Sequence, residues 1–120
     1  MNNLQAYHSF WSGFGLPAYD ENSVPDSAKM PYITYEAVDG FFGDRIQLSA
    51  SLWYRSQSWA SITEKEKEIA LDIGRGGKYI PCDDGAIFID RGTPWAQRMG
   101  DASDDSIRRV VLNIEIEHIL

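Results

Sequence analysis

The stretch Arg45-Ile-Gln-Leu-Ser-Ala-Ser-Leu-Trp-Tyr-Arg55 decides the fold class. Ile46, Leu48, Ala50, Leu52 and Tyr54 alternate with Gln47, Ser49, Ser51, Trp53 and Arg55. Successive side chains of a strand point to opposite faces, so a period of two predicts a sheet with one buried and one wet face. The end of the chain repeats the pattern. Over Ile107 to Ile119, Val110, Leu112, Ile114 and Ile116 face one way, and Val111, Asn113, Glu115 and Glu117 the other.

Working outward, Tyr32 to Val38 is dense in β-branched and aromatic residues and predicts another strand. Gly40 and Gly43 bracket the turn that follows it. Lys78 to Cys82 and Gly85 to Asp90 predict two shorter strands joined at Asp83-Asp84-Gly85. Residues 2–14 carry Leu4, Tyr7, Trp11 and Phe14 at the spacing of one helical face. Asn2 with Gln5 forms a capping-box pattern there, and Gly13, Gly15 and Pro17 close the helix. A second helix is expected over 61–73, capped by Ser61 and Glu64. Its buried stripe is Ile62, Ile69, Ala70 and Ile73, with Glu64 to Glu68 as a solvated face and Gly74 as the C-terminal cap.

Residues 17–31, with Pro17, Asp20, Pro25 and Pro31, read as an irregular connector, and 91–105 as a long polar loop. The expected fold is α+β, in the order α-β-β-α-β-β-β. Two helices pack on one face of a largely antiparallel sheet of about five strands, within a single domain spanning 1–120 whose core is 32–120.

The chain has 120 residues, 11 Lys and Arg against 18 Asp and Glu, and a formal net charge of −7. That balance argues against nucleic-acid binding, which needs a basic footprint. Cys82 is the one cysteine, so no disulfide framework is expected and the chain fits a reducing cytosol. Met1 to Leu16 shows neither a basic n-region nor a continuous apolar run, so no signal peptide is expected. Nor does any stretch approach the ~20 apolar residues of a membrane span.

Motifs for chemistry are weak. Gly74-Arg75-Gly76-Gly77-Lys78 lacks the spacing and the trailing hydroxyl of a phosphate loop, and it follows a helix instead of preceding one. His8 and His118 have no Cys or second His at ligand spacing, which leaves them surface or interface roles. Cys82 reads as a small strand-end hydrophobe. Asp83, Asp84, Asp101, Asp104 and Asp105 read as turn residues. Neither a catalytic group, nor a cofactor, nor a metal is expected, and the chain is not expected to be an enzyme.

Interface chemistry is better represented. The 15 aromatic residues are many for this length. Trp and Arg are frequent anchors of protein interfaces. Arg91, Trp95, Arg98 and Met99 lie in the stretch 91–105, Arg108 and Arg109 open the last strand, and Trp53 sits on the wet face of its strand. Trp95 is either an interface anchor or a lid folded back on the sheet edge. Arg108 and Arg109 are candidates to pair with the nearby aspartates or with carboxylates of a neighbouring subunit.

The run Arg91-Gly-Thr-Pro-Trp-Ala-Gln-Arg-Met-Gly-Asp101, then Asp104-Asp-Ser-Ile-Arg-Arg109 and the strand Val-Leu-Asn-Ile-Glu-Ile-Glu, resembles the C-terminal part of the tail terminator proteins of long-tailed bacteriophages. Met30-Pro-Tyr-Ile-Thr-Tyr35 and Leu52-Trp-Tyr-Arg55 are similar to that family too, and the resemblance covers about residues 25–118. It implies a virion protein made in the host bacterial cytoplasm. Such a protein would form a hexameric ring on the head-proximal end of the tail tube, stop tube polymerisation and dock the head connector. Its partners would be copies of itself, the tail tube protein and the connector or stopper. DNA would only pass through the lumen, and no membrane is involved. The alternatives are another head–tail connector or completion protein, and, from a different class, a small host ligand-binding or enzymatic domain.

Overall fold

The computed structural model describes residues 1–38, 43–101 and 103–120. The expected turn residue Gly40 lies outside them. In chain order the elements are α1 (Asn3–Trp11), a 3-10 turn (Ser12–Phe14), β1 (Ala18–Asp20), β2 (Tyr32–Tyr35), β3 (Ile46–Arg55), α2 (Ala60–Ile73), β4 (Lys78–Cys82), β5 (Gly85–Gly100) and β6 (Ile107–Ile119). The fold is mixed α+β, with both helices packed into the same core as one sheet.

That sheet has six strands in the order β1-β2-β3-β6-β5-β4, where about five were expected. The added strand is β1, inside the supposed connector. It pairs parallel to β2, with Ala18 opposite Ile33 and Asp20 opposite Tyr35. Three residues between a proline and an acidic turn carry no readable period, and only the neighbouring strand makes them β. The remaining ladders are antiparallel. β2 ends at Tyr35, short of the expected Val38, which is exposed.

β3 and β6 form the centre, paired from Ile46 opposite Ile116 to Arg55 opposite Ile107. Both alternations are realised. Leu48, Ala50, Leu52, Val110, Leu112, Ile114 and Ile116 are buried on the inner face, and Ile46 and Tyr54 are half-buried. Against them pack Tyr7, Phe10, Trp11 and Phe14 from the first helix and its 3-10 turn, and Ile62, Ile69 and Ile73 from α2. Burying each such aliphatic or aromatic side chain stabilises the fold by about 1.5–3 kcal/mol.

α1 has the expected capping box. Gln5 N–H donates to Asn2 Oδ1 at 2.8 Å, and Asn2 N–H to Gln5 Oε1 at 2.9 Å. The box expected at Ser61 and Glu64 does not form. α2 begins one residue earlier, with Trp59 at the N-cap position. Ser58 Oγ instead accepts the Ala60 N–H at 3.0 Å, satisfying a first-turn donor from upstream. Ala70, expected in the buried stripe, is half-buried. The charged run 64–68 is not wholly solvated either, because Lys65 Nζ donates to the Phe14 carbonyl at 2.7 Å and ties α2 to the 3-10 turn that follows α1.

The largest departure concerns 91–105. β5 continues through it to Gly100. Its register on β6 jumps between Arg91, opposite Ile114, and Ala96, opposite Leu112, so five steps along β5 match two along β6. This enlarged bulge holds Gly92, Thr93, Pro94 and Trp95. A bulge is where a strand tolerates a proline. Asn113 Nδ2 secures it by donating to the Pro94 carbonyl at 3.0 Å. A Cβ on Gly92 would lie 3.0 Å from the Asn113 carbonyl oxygen. Only the stretch after Gly100 turns. There Asp101 Oδ1 accepts from Ser103 and Asp104, and Asp104 Oδ1 accepts from Ser106, the local bonding expected of turn aspartates.

Candidate functional site

The end of the sheet nearest the β5–β6 turn gathers most of the arginines and tryptophans singled out above. It distributes them over two faces. Strand parity decides which. Arg98 lies opposite Val110 on the inner face, and Met99 lies opposite Arg109 on the outer.

On the inner side, Trp59 at the entrance to α2 is flanked by two cations. The Arg98 guanidinium lies 4.8 Å from its ring centroid and that of Arg108 lies 5.3 Å away. Arg108 Nη2 also donates to the Gln57 carbonyl at 3.0 Å, and Nη1 donates to the Asp105 carbonyl. The outer side carries a ladder of rings. Tyr19 meets Tyr32 edge-on at 5.8 Å, Tyr32 meets Trp53 at 6.4 Å, and the Arg109 guanidinium sits 4.6 Å over Trp53. Trp53 Nε1 donates to Thr34 Oγ1 at 2.9 Å, and Arg109 Nε to Ser51 Oγ at 3.1 Å. Met99, 44% exposed, completes that surface. Each cation–ring contact contributes about 0.5–1 kcal/mol at an exposed site. Planar side chains held this way have little rotational freedom left to lose on binding.

The aspartates of the turn pair differently from the expectation for Arg108 and Arg109. Asp104 takes Arg55, with Arg55 Nη1 at 3.0 Å from its Oδ2. Hydrogen bonds from Ser106 and from Arg55 lower its carboxyl to about 2. Arg108 and Arg109 turn to carbonyls, a hydroxyl and rings instead.

Arg91 and Trp95 lie apart from this end, Arg91 just before the bulge and Trp95 within it. Trp95 is half-buried and packs against the core, which is the lid arrangement within one chain. Arg91 is half-buried, and its backbone N–H donates to Asp90 Oδ1 at 2.8 Å. β4 follows β5 only as far as Lys78 opposite Ile89. Among the described residues no strand pairs with the outer edge of β5 from Asp90 to Gly100. Sequence reasoning missed Trp59, Tyr32, Tyr19 and Thr34. The Tyr32–Trp53 contact was within reach, since pairing the two strands with their apolar sets aligned puts both rings outside.

The other histidine expectation is overturned. His118 is 3% exposed, on the inner face of β6, not at the surface. Its Nε2 lies 3.0 Å from Asp84 Oδ1 and 3.8 Å from Cys82 Sγ, so the cysteine missing from its sequence neighbourhood is supplied by the β4–β5 hairpin. The bond from His118 lowers the Asp84 carboxyl. Burial, then the bond to Asp84, raises the Cys82 thiol. His8 is exposed, with Nδ1 2.5 Å from the Tyr35 hydroxyl.

Among the described residues, no helix is long and apolar enough to cross a membrane. Compared with known proteins, the chain matches no protein-family model and no curated relative.

Proposed function

We propose that this chain is a structural protein of phage tail assembly, a terminator that closes into a ring on the head-proximal end of the tail tube. The ring stops tube growth and presents the face on which the head connector docks. The observation that carries this reading is the clustering of Trp53, Trp59, Arg98, Met99, Arg108 and Arg109 at one end of the β5–β6 hairpin, beside a β5 edge that no strand covers among the described residues. The stretches that resemble tail terminators, 91–101 and 104–117, build that hairpin.

The physical logic is that of a head-to-tail contact which closes on itself. Pre-ordered tryptophans and arginines supply the anchors, and the half-exposed polar residues around them supply the rim. Contacts along the 91–100 edge and the β1 edge reach neighbours or the tube. The −7 charge suits a channel that lets DNA pass without holding it.

Electron microscopy of tails from a phage lacking this gene tests the reading. Tubes of uncontrolled length are expected. Normal-length tails beside unattached heads would overturn the terminator role and place the protein among head–tail joining factors. In parallel, Met99→Glu should leave the isolated chain folded and abolish ring formation on tubes, read by light scattering and negative-stain imaging. Unchanged capping would remove this surface from the interface.

A further inference from the structure

At the opposite end of β6 from the turn, three donor atoms of different kinds converge. Cys82 closes β4, Asp84 lies in the turn to β5, and His118 is on β6 opposite Ile87. Sγ to Nε2 is 3.8 Å, Sγ to Asp84 Oδ1 is 3.5 Å, and Oδ1 to Nε2 is 3.0 Å. Tetrahedral ligands bound at roughly 2.0–2.3 Å to one ion stand roughly 3.3–3.6 Å apart. The triangle is therefore already close to the size an ion needs.

We propose that Cys82 Sγ, Asp84 Oδ1 and His118 Nε2 form a binding site for a divalent transition-metal ion of the zinc type.

The arrangement distinguishes a metal site from a thiol–histidine–carboxylate relay. A relay uses one ring nitrogen for the nucleophile and the other for the carboxylate. Here thiol and carboxylate both face Nε2. A proton there, donated to Asp84, cannot at the same time be a vacancy for the thiol proton. An ion takes the place of that proton and is met by all three atoms. A thiolate and a carboxylate together neutralise a 2+ charge, so the buried imidazole stays neutral. The mixed sulfur, nitrogen and oxygen set selects zinc-like ions over calcium or magnesium, which demand oxygen ligands.

The fold holds this triangle from below and leaves it open above. His118 is nearly enclosed, with its side chain 2% exposed, so the ring is fixed by packing. The Asp84 side chain is 57% exposed, which gives the ion an entry path and leaves a fourth position for water. Gly85 brings the turn onto β6: with φ +150°, its absent Cβ would stand 2.0 Å from the Ile119 carbonyl oxygen. A bound ion would clip the β4–β5 hairpin to the end of β6.

The test uses the full chain freed of metal by a chelator. Zn²⁺ titration calorimetry should show one equivalent, with proton release and weaker binding at lower pH, because the thiol must ionise. Co²⁺ should give a sulfur-to-metal charge-transfer band in the near ultraviolet. Cys82→Ser should remove the band. Loss of a supporting group beyond the ligands typically costs 10–100-fold in affinity, so Cys82→Ser should weaken Zn²⁺ binding by more than about 100-fold. Asp84→Asn, at an exposed side chain, should weaken it likewise while circular dichroism stays unchanged. Absence of stoichiometric Zn²⁺ binding, a cobalt spectrum without the sulfur band, or binding that survives Cys82→Ser would each overturn the proposal. None of these readouts depends on assembly, so they stand apart from the ring reading.

Discussion

Replacing Trp53 by leucine tests whether the outer ladder is a coupled unit or a set of neighbours. The substitution removes the Nε1–H bond to Thr34 Oγ1, worth about 1 kcal/mol. It also removes the ring from between Tyr32 and the Arg109 guanidinium, at about 0.5–1 kcal/mol for the cation contact. The expected loss is about 2 kcal/mol, a shift of about 1 M in the urea midpoint for a domain of this size. The decisive quantity is the coupling. With Arg109→Ala as the second substitution, a double-mutant cycle by urea unfolding of the unassembled chain should return an interaction of about 0.5–1 kcal/mol, because the 4.6 Å stack exists only when both are present. Additive single losses would refute the claim that these side chains hold each other in a binding-ready geometry. The argument for the hairpin end as an assembly surface would then lose its physical basis.

Two further outcomes follow from the geometry. Gly85→Ala should destabilise the chain by at least about 1 kcal/mol in the same unfolding assay, since the new Cβ meets the Ile119 carbonyl in a backbone region alanine avoids; unaltered stability would contradict the close approach of turn and strand. For pH, Asp104 has a folded carboxyl held at about 2 against an ordinary 3.8. A depressed acid stabilises fully above its unfolded value and loses that stabilisation as pH falls from about 3.8 towards about 2. Asp104→Asn should therefore flatten the acid limb of the stability profile in that window and leave it unchanged at lower pH.

The strands over 46–55 and 107–119, the capping box at Asn2 and the C-terminal glycine of α2 were all legible in the residues, because each depends on neighbours a few positions away. Alternation of Leu48, Ala50 and Leu52 against Gln47 and Ser49 has one structural meaning wherever the strand ends up. The outward face of Trp53 was legible for the same reason, and Arg98, Met99 and Arg109 were legible as interface candidates only by residue type. Their grouping was not, because it depends on which strand lies beside which. Register placed Met99 across from Arg109 and turned Arg98 to the other side against Trp59.

What local sequence by itself determined is the element type wherever a period runs for many residues, together with the apolar face that must be buried. Tertiary structure alone decided that Ala18–Asp20 is a strand, that the polar stretch with Gly92 and Pro94 is a bulged continuation of β5, and that Cys82, Asp84 and His118 share one point in space. All three depend on which strands lie side by side, and for the first two the reason is the backbone. A short or interrupted segment gains its backbone hydrogen bonds from a strand distant in sequence, so its conformation is set by that strand's position and not by its own side chains.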